Sequence, residues 1–166
     1  MGENKKMDKA IVSIALIIVV FLVGRKILLA KTDEIPATLI TKIIAAESQF
    51  NPRAVGKAGE RGLFQLREAT WDWLTEKMYN KKLHFDLAFD STINKEVGIY
   101  YLKWIKNYLG SHYTPGLLVG CFNYGPSRIK TLGYSLPDSA WDHPNLIYRQ
   151  IFREELEMER KKGGAV

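Results

Sequence analysis

Residues 44–55 read Ile44-Ala45-Ala46-Glu47-Ser48-Gln49-Phe50-Asn51-Pro52-Arg53-Ala54-Val55, with a single acid, Glu47, directly after three apolar residues. Just upstream, Leu39, Ile40, Ile43 and Ile44 recur at helical spacing. Pro36 is suited to open that helix and Asn51-Pro52 to stop it. Glu47 follows Ile44, Ile43 and Ile40 by three, four and seven residues, so it shares their inward face. Desolvation of a carboxylate there disfavours its charged form and raises its pKa, which makes it a proton donor near neutral pH. A glutamate merely satisfied by hydrogen bonds at a helix end fits the periodicity equally well. Spacing alone leaves both readings open.

Outward from this stretch the chain stays helical. A glycine-punctuated segment with Gly56, Gly59 and Gly62 leads to a helix near Ala69 to Tyr79. A longer helix is expected from about Ser91 to Leu109, with Ile93, Val97, Tyr101, Trp104, Ile105 and Tyr108 as its apolar face and Gly110 as its stop. Thr114-Pro115 reads as a cap plus first-turn proline for a helix through Phe122, and Pro126 opens another turn. A last helix runs from about Pro144 to Lys161, carrying Ile147, Ile151, Phe152 and Leu156. No alternating strand pattern, internal repeat or low-complexity run is present. Trp71, Trp73, Trp104 and Trp141 are read as core-packing rather than exposed rings, Trp104 above all.

The other end of the chain has a different character. From Ala10 to Gly24 every one of 15 residues except Ser13 is apolar or small. Extension through Arg25 and Lys26 to Ala30 gives 21 residues, enough to span a bilayer if the two cations reach back to the interface. Residues 1–31 hold six Lys or Arg against Glu3 and Asp8, so +4 of the formal +6 lies around this segment. That distribution suits a membrane surface and not nucleic acid, which would call for a basic stripe on the folded part. A signal-anchor helix is the preferred reading. A cleaved signal lacks a good small-x-small site, since Leu28 precedes Ala30, and a buried core helix would need a polar face. Three cations flank each side, so the positive-inside rule assigns no direction. The expected organisation is an N-terminal membrane anchor over 1–30 and a mainly α domain over 31–166.

Cys121 is the single cysteine, which excludes an internal disulfide or a cysteine zinc cluster. His84, His112 and His143 show no ligand spacing, and no metal or cofactor is expected.

Four segments carry a family resemblance. Residues 44–55 resemble the first motif of the lytic transglycosylase (SLT-type) family. Gly59-Glu60-Arg61-Gly62-Leu63-Phe64-Gln65-Leu66, followed by Ala69-Thr70-Trp71, is similar to its second. Gly120-Cys121-Phe122-Asn123-Tyr124-Gly125 resembles the third, and Tyr148 with Ile151 the fourth. In this order and spacing they cover residues 39 to about 152. The resemblance implies a lysozyme-like helical domain that cleaves the MurNAc-GlcNAc β-1,4 bond of peptidoglycan glycan strands. By the same resemblance Glu47 is the catalytic acid/base, with Ser48 supporting its position. Gly62, Leu63, Phe64 and Gln65 form a loop at the sugar cleft, with Gln65 bonding substrate. Asn123, between Phe122 and Tyr124, faces the acetamido sugar, and Tyr148 orients the glutamate. The sequence departs from the family at Gly56, often serine, at Phe64, usually methionine, at Phe122, commonly tyrosine, and at Tyr124, usually small. These changes bear on cleft shape and leave the acid in place.

One carboxylate suffices when the nucleophile belongs to the substrate. In the family resembled, the acid protonates the leaving oxygen and then takes the proton of the muramic acid 6-hydroxyl, which leaves a 1,6-anhydro end. Goose-type lysozymes hydrolyse the same bond with aspartates near the glycine loop, where this chain has Arg67. Glu60 is the best second carboxylate and is read as a solvated loop charge. Two further classes stand against the enzyme: a non-catalytic wall-binding or structural membrane subunit, and a membrane-active protein working through residues 10–30. The expected setting is a membrane-anchored protein facing peptidoglycan, on the periplasmic or outer side or in a membrane-containing phage particle. A secretion or conjugation apparatus is an equal partner, since each needs local opening of the wall.

Overall fold

Pro36 caps the first helix, α1 (Ala37–Ser48), in a computed structural model that describes residues 34–163. The anchor expected over residues 1–30 lies outside them. Among the described residues no helix is long and apolar enough to cross a membrane. Leu39, Ile43, Ile44 and Ser48 are buried along α1. The helix ends earlier than Asn51-Pro52 suggests, because Gln49 and Phe50 both take left-handed backbone, with φ of 52° and 64°. Local hydrogen bonds close that bend, Gln49 N–H to Ala45 O at 3.2 Å and Asn51 N–H to Ser48 O at 2.9 Å, although αL is uncommon for these residue types.

The segment from Asn51 to Arg67 then folds into irregular turns closed by two isolated bridges, Val55 to Arg61 and Arg61 to Leu66. Gly62 has φ of 75°, and a Cβ there would overlap the Ala88 carbonyl and the Asn94 side chain. Only glycine fits. The fully buried Asn94 ties this segment down. Its Oδ1 accepts from Phe64 N–H at 2.9 Å, and its Nδ2 donates to Ala88 O at 2.8 Å and to Arg61 O at 3.2 Å.

Helix α2 (Glu68–Tyr79) follows, and its Trp71 is fully buried with the indole N–H donated to Leu83 O at 2.9 Å. A short 3-10 helix (Phe85–Phe89) leads into α3 (Ser91–Leu109), where Asp90 accepts from Thr92 and Ile93 N–H and Gly110 terminates. Both ends of α3 fall where expected. Its buried face is turned from the expected one: Asn94, Val97, Gly98, Leu102, Ile105 and Leu109 point inward. Ile93, Tyr101, Trp104 and Tyr108 are only half-buried. The rotation follows from Phe64, whose ring occupies the space beside Gly98 that any Cβ would fill.

Helix α4 (Pro115–Tyr124) opens as expected, with the Thr114 hydroxyl accepting from Leu117 N–H at 3.0 Å, and continues two residues past Phe122. Residues 116–121 are all buried, and α4 forms the centre against which α3, α5 (Pro126–Thr131) and α6 (Leu146–Gly163) pack. Helix α6 also lies against α1 and buries Tyr148, Ile151, Phe152 and Glu155. Ile147 and Leu156, expected on its inward face, are half-buried at its edge. Trp73, Trp104 and Trp141 are likewise half-buried, so full core burial holds for Trp71 alone among the tryptophans. The described residues from Ile35 onward are mainly helical and contain no strand, only the two bridges.

Candidate active site

Helix α1 places Glu47 in its last turn, where the negative end of the helix dipole adds to the cost of a charged side chain. The carboxyl reaches the floor of a cleft of about 490 Å³. Beneath it, Tyr148 of α6 is 2% exposed and donates its hydroxyl to Glu47 Oε1. Burial pushes the Glu47 carboxyl above its ordinary value and outweighs the Tyr148 hydrogen bond, which lowers it, while the charge of Glu60 adds to the rise. Tyr148 is itself pushed well upward by burial and by the neighbouring carboxylate. It therefore stays a neutral phenol that only donates. A desolvated acid with a fixed orienting donor can give up a proton and take one back.

Asn145 bridges α1 and α6. Its Nδ2 donates to Ala46 O at 2.8 Å, while its Oδ1 accepts from Ile147 N–H at 3.0 Å and Tyr148 N–H at 3.3 Å. One side chain thus caps the helix that carries Tyr148 and grips the residue before Glu47.

One wall of the cleft is the Asn51–Arg67 segment. Gln65, at φ 45°, lines it. Its Nε2 is committed to Gly62 O at 2.9 Å and Ala54 O at 3.1 Å, so Oε1 remains as the acceptor for a ligand hydroxyl or amide. Glu60 also lines the cleft, and this differs from a solvated loop charge: its side chain is 18% exposed. Oε1 accepts from Arg67 Nε at 2.9 Å and Oε2 from Ala58 N–H at 3.0 Å. Burial raises the Glu60 carboxyl, but hydrogen bonds from its own N–H, Arg67 and Ala58, with the Arg67 charge, hold it below its ordinary value. A Cβ at position 56 would overlap Glu60 Oε2 and come within 2.9 Å of Gln65 Oε1. A serine at 56 would therefore require the Glu60 carboxylate to shift from this position.

The opposite wall is the end of α4, with Phe122, Asn123, Tyr124 and Gly125, joined by Tyr101 of α3. Asn123 is exposed, with an amide able to both donate and accept. The Phe122 ring sits 5.7 Å from Tyr101 and 6.2 Å from Phe64, so the missing tyrosine hydroxyl leaves an apolar patch over the core.

Of the residues singled out from the sequence, Glu47, Gln65, Phe122, Asn123 and Tyr124 line one cleft, and Tyr148 bonds Glu47 from below. Ser48, Gly62, Leu63 and Phe64 are not among the lining residues and stand behind it. The buried Ser48 donates to Ile44 O at 3.1 Å, Phe64 is fully buried, and Leu63 faces a separate apolar hollow with Ile40 and Phe50. Their contribution is to hold the lining and not to touch a ligand. Leu66, Arg67, Thr70, Tyr101 and Gly125 line the cleft without having been singled out as ligand contacts. For Arg67 the available signal was an opposite charge seven residues from Glu60 across a glycine turn.

The family profile described as "Transglycosylase SLT domain" matches residues 27–136. No curated protein matches the chain.

Proposed function

Because the chain belongs to the SLT transglycosylase family, whose members are lytic transglycosylases acting on peptidoglycan, we propose that it cleaves the MurNAc-GlcNAc β-1,4 bond and leaves 1,6-anhydro-MurNAc ends. The observation that carries this reading is the desolvated Glu47 carboxyl, oriented by Tyr148 and opening into a polar cleft.

In the first half of the reaction the Glu47 proton passes to the glycosidic oxygen as the bond from that oxygen to the MurNAc C1 breaks. Positive charge builds at C1, and the substrate's acetamido group, held by Asn123, shares it. In the second half the Glu47 carboxylate takes the proton of the 6-hydroxyl while that oxygen bonds C1. The acid is regenerated and no water is consumed. Tyr148 keeps Oε1 aimed in both halves, and Gln65 Oε1 accepts from a sugar hydroxyl or amide.

A second reading, hydrolysis in the manner of goose-type lysozymes, is favoured by one observation, the presence of Glu60 in the same cleft. Activation of water needs a basic carboxylate, and Glu60 is held below its ordinary value by the Arg67 and Ala58 hydrogen bonds and the Arg67 charge, which makes it a weak base. Transglycosylation is therefore preferred.

The lysozyme-like helical domain is assigned to residues 31–166 and a membrane anchor to residues 1–30. The anchor rests on the uncharged run Ala10–Gly24 and its flanking cations. Such a protein, facing peptidoglycan from a bilayer, suits local opening of the wall by a membrane-containing phage particle or by a secretion or conjugation apparatus.

Mass spectrometry of fragments released from purified peptidoglycan tests the reading. Anhydro ends are expected, with loss of about 100-fold or more in rate for Glu47→Gln. Reducing ends identify the hydrolase. Binding of glycan without any release identifies a non-catalytic subunit, and wall clearance by the Glu47→Gln protein at the wild-type rate removes Glu47 from the mechanism.

A further inference from the structure

The cleft contains a carboxylate that the reaction leaves unused. Glu60 is fixed from three directions. Ala58 N–H and Arg67 Nε hold its two oxygens at 3.0 and 2.9 Å. Its backbone is locked by the turn in which Gly56 N–H donates to Glu60 O at 2.8 Å and Gly59 N–H to Gly56 O at 3.1 Å. The carboxylate keeps this place because position 56 lacks a Cβ, which would overlap Glu60 Oε2. The Arg67 side chain is 69% exposed and that of Glu60 18%, so the guanidinium stands in more water than its partner. Screening by water weakens the guanidinium more than the group it partners. The cleft therefore feels residual negative charge near Glu47.

We propose that Glu60 is a positioning residue for this reaction: its fixed negative charge keeps the proton on Glu47 until substrate arrives, Gly56 makes the room for it, and Arg67 sets how much of that charge the cleft feels. The inference rests on Glu47 as the acid. The other groups around Glu47 do not supply this charge. Tyr148 from α6 is a neutral donor, and Tyr101 from α3 and Tyr124 from α4 are phenols raised by burial, Tyr101 to about 12. His143, 5.5 Å from the Tyr148 ring, is held below the ordinary histidine value by burial, and Arg128 lies on the far side of Tyr124. Of these neighbours, only Glu60 is anionic. Its charge adds to the rise of the Glu47 carboxyl, in the direction the proposal requires.

The test is a 13C NMR titration of the Glu47 carboxyl in the full chain, compared among wild type, Glu60→Gln, Glu60→Asp and Arg67→Met. Glu60→Gln is expected to move the Glu47 midpoint to lower pH and Arg67→Met to higher pH, while Glu60→Asp stays closer to wild type. The alkaline limb of the peptidoglycan-cleavage profile should move the same way in each protein. An unmoved midpoint in Glu60→Gln overturns the proposal. So does loss of cleavage at every pH with the midpoint unmoved, which would make Glu60 a reacting group. Should Glu60→Gln fail to fold, an unmoved midpoint in Arg67→Met, a change at an exposed side chain, overturns it equally. The titration needs no turnover, so a wild-type protein that releases nothing from peptidoglycan would refute the enzymatic reading and leave this measurement standing.

Discussion

Tyr148 donates its hydroxyl to Glu47 Oε1 across 101 positions of sequence, joining the last turn of α1 to the first turn of α6 at the floor of the cleft. That donor does two things with opposite effects on the acid. It aims the carboxyl, and it stabilises the charged form, partly countering the burial that raises Glu47.

Tyr148→Phe separates the two. The ring keeps its buried site, so folding should be little changed, while the carboxyl loses its aim. We expect kcat/KM to fall by roughly 10- to 100-fold, the cost of a loosely held reacting group. With the lowering influence gone, the alkaline limb of the pH profile should move to higher pH. A limb that moves to lower pH would show that Tyr148 does not donate to the carboxylate.

The raised Glu47 carboxyl also carries a stability consequence. Its folded-state value stands above the ordinary 4.5, so the stability it contributes is full below that range and is lost as pH rises through the raised value. Glu47→Gln removes the ionisation and keeps an acceptor for Tyr148. The variant should therefore melt higher than wild type at pH ~8 and show no such gain at pH ~3, where both side chains are neutral. Thermal unfolding of the two proteins across this range checks it, and equal melting temperatures at both ends would refute the desolvation argument.

How much of this was legible in the sequence depended on whether the cause was local. The bounds of α3 were readable because Asp90 and Gly110 sit at its ends, and the inward register of Glu47 because Ile40, Ile43 and Ile44 share its face. The end of α1 was not, since two successive left-handed residues that are not glycine, Gln49 and Phe50, run against local propensity. The face of α3 was misread for a related reason. An apolar count favours Ile93 and Tyr101 over Asn94 and Gly98, yet the last two are the ones that meet the loop: Asn94 by hydrogen bonds, Gly98 by its missing side chain. Glu60 read as a solvated loop charge because its partner Arg67, seven residues away, meets it only once the turn has folded at the cleft.

Asn94 should consequently be among the more sensitive positions. Asn94→Ala strips the partner from Phe64 N–H and Ala88 C=O, while Arg61 C=O keeps the Leu66 N–H, and Asn94 is fully buried. A loss of about 3 kcal/mol in urea unfolding is expected, from the desolvation of groups left unpaired. Gln65 follows Phe64 directly, so cleavage should weaken even where the variant is folded. A loss under about 1 kcal/mol would mean that water replaces the side chain and the clamp is unimportant.

Asn145 offers the sharpest separation of folding from positioning. Its Oδ1 caps α6, while its Nδ2 holds Ala46 O at 2.8 Å. Asn145→Ala removes both and should cost about 1–2 kcal/mol, as loss of a helix cap does. Asn145→Asp keeps the acceptor for Ile147 and Tyr148 N–H but replaces the donor to Ala46 with an oxygen that cannot donate. If the cap alone matters, the aspartate should restore both stability and cleavage. If the grip on α1 sets the Tyr148–Glu47 contact, the aspartate should keep α6 capped yet cleave slowly, with the fall in kcat rather than KM. Its alkaline limb should move to higher pH, as in Tyr148→Phe. Recovery of full kcat by Asn145→Asp would sink the idea that this side chain positions the acid.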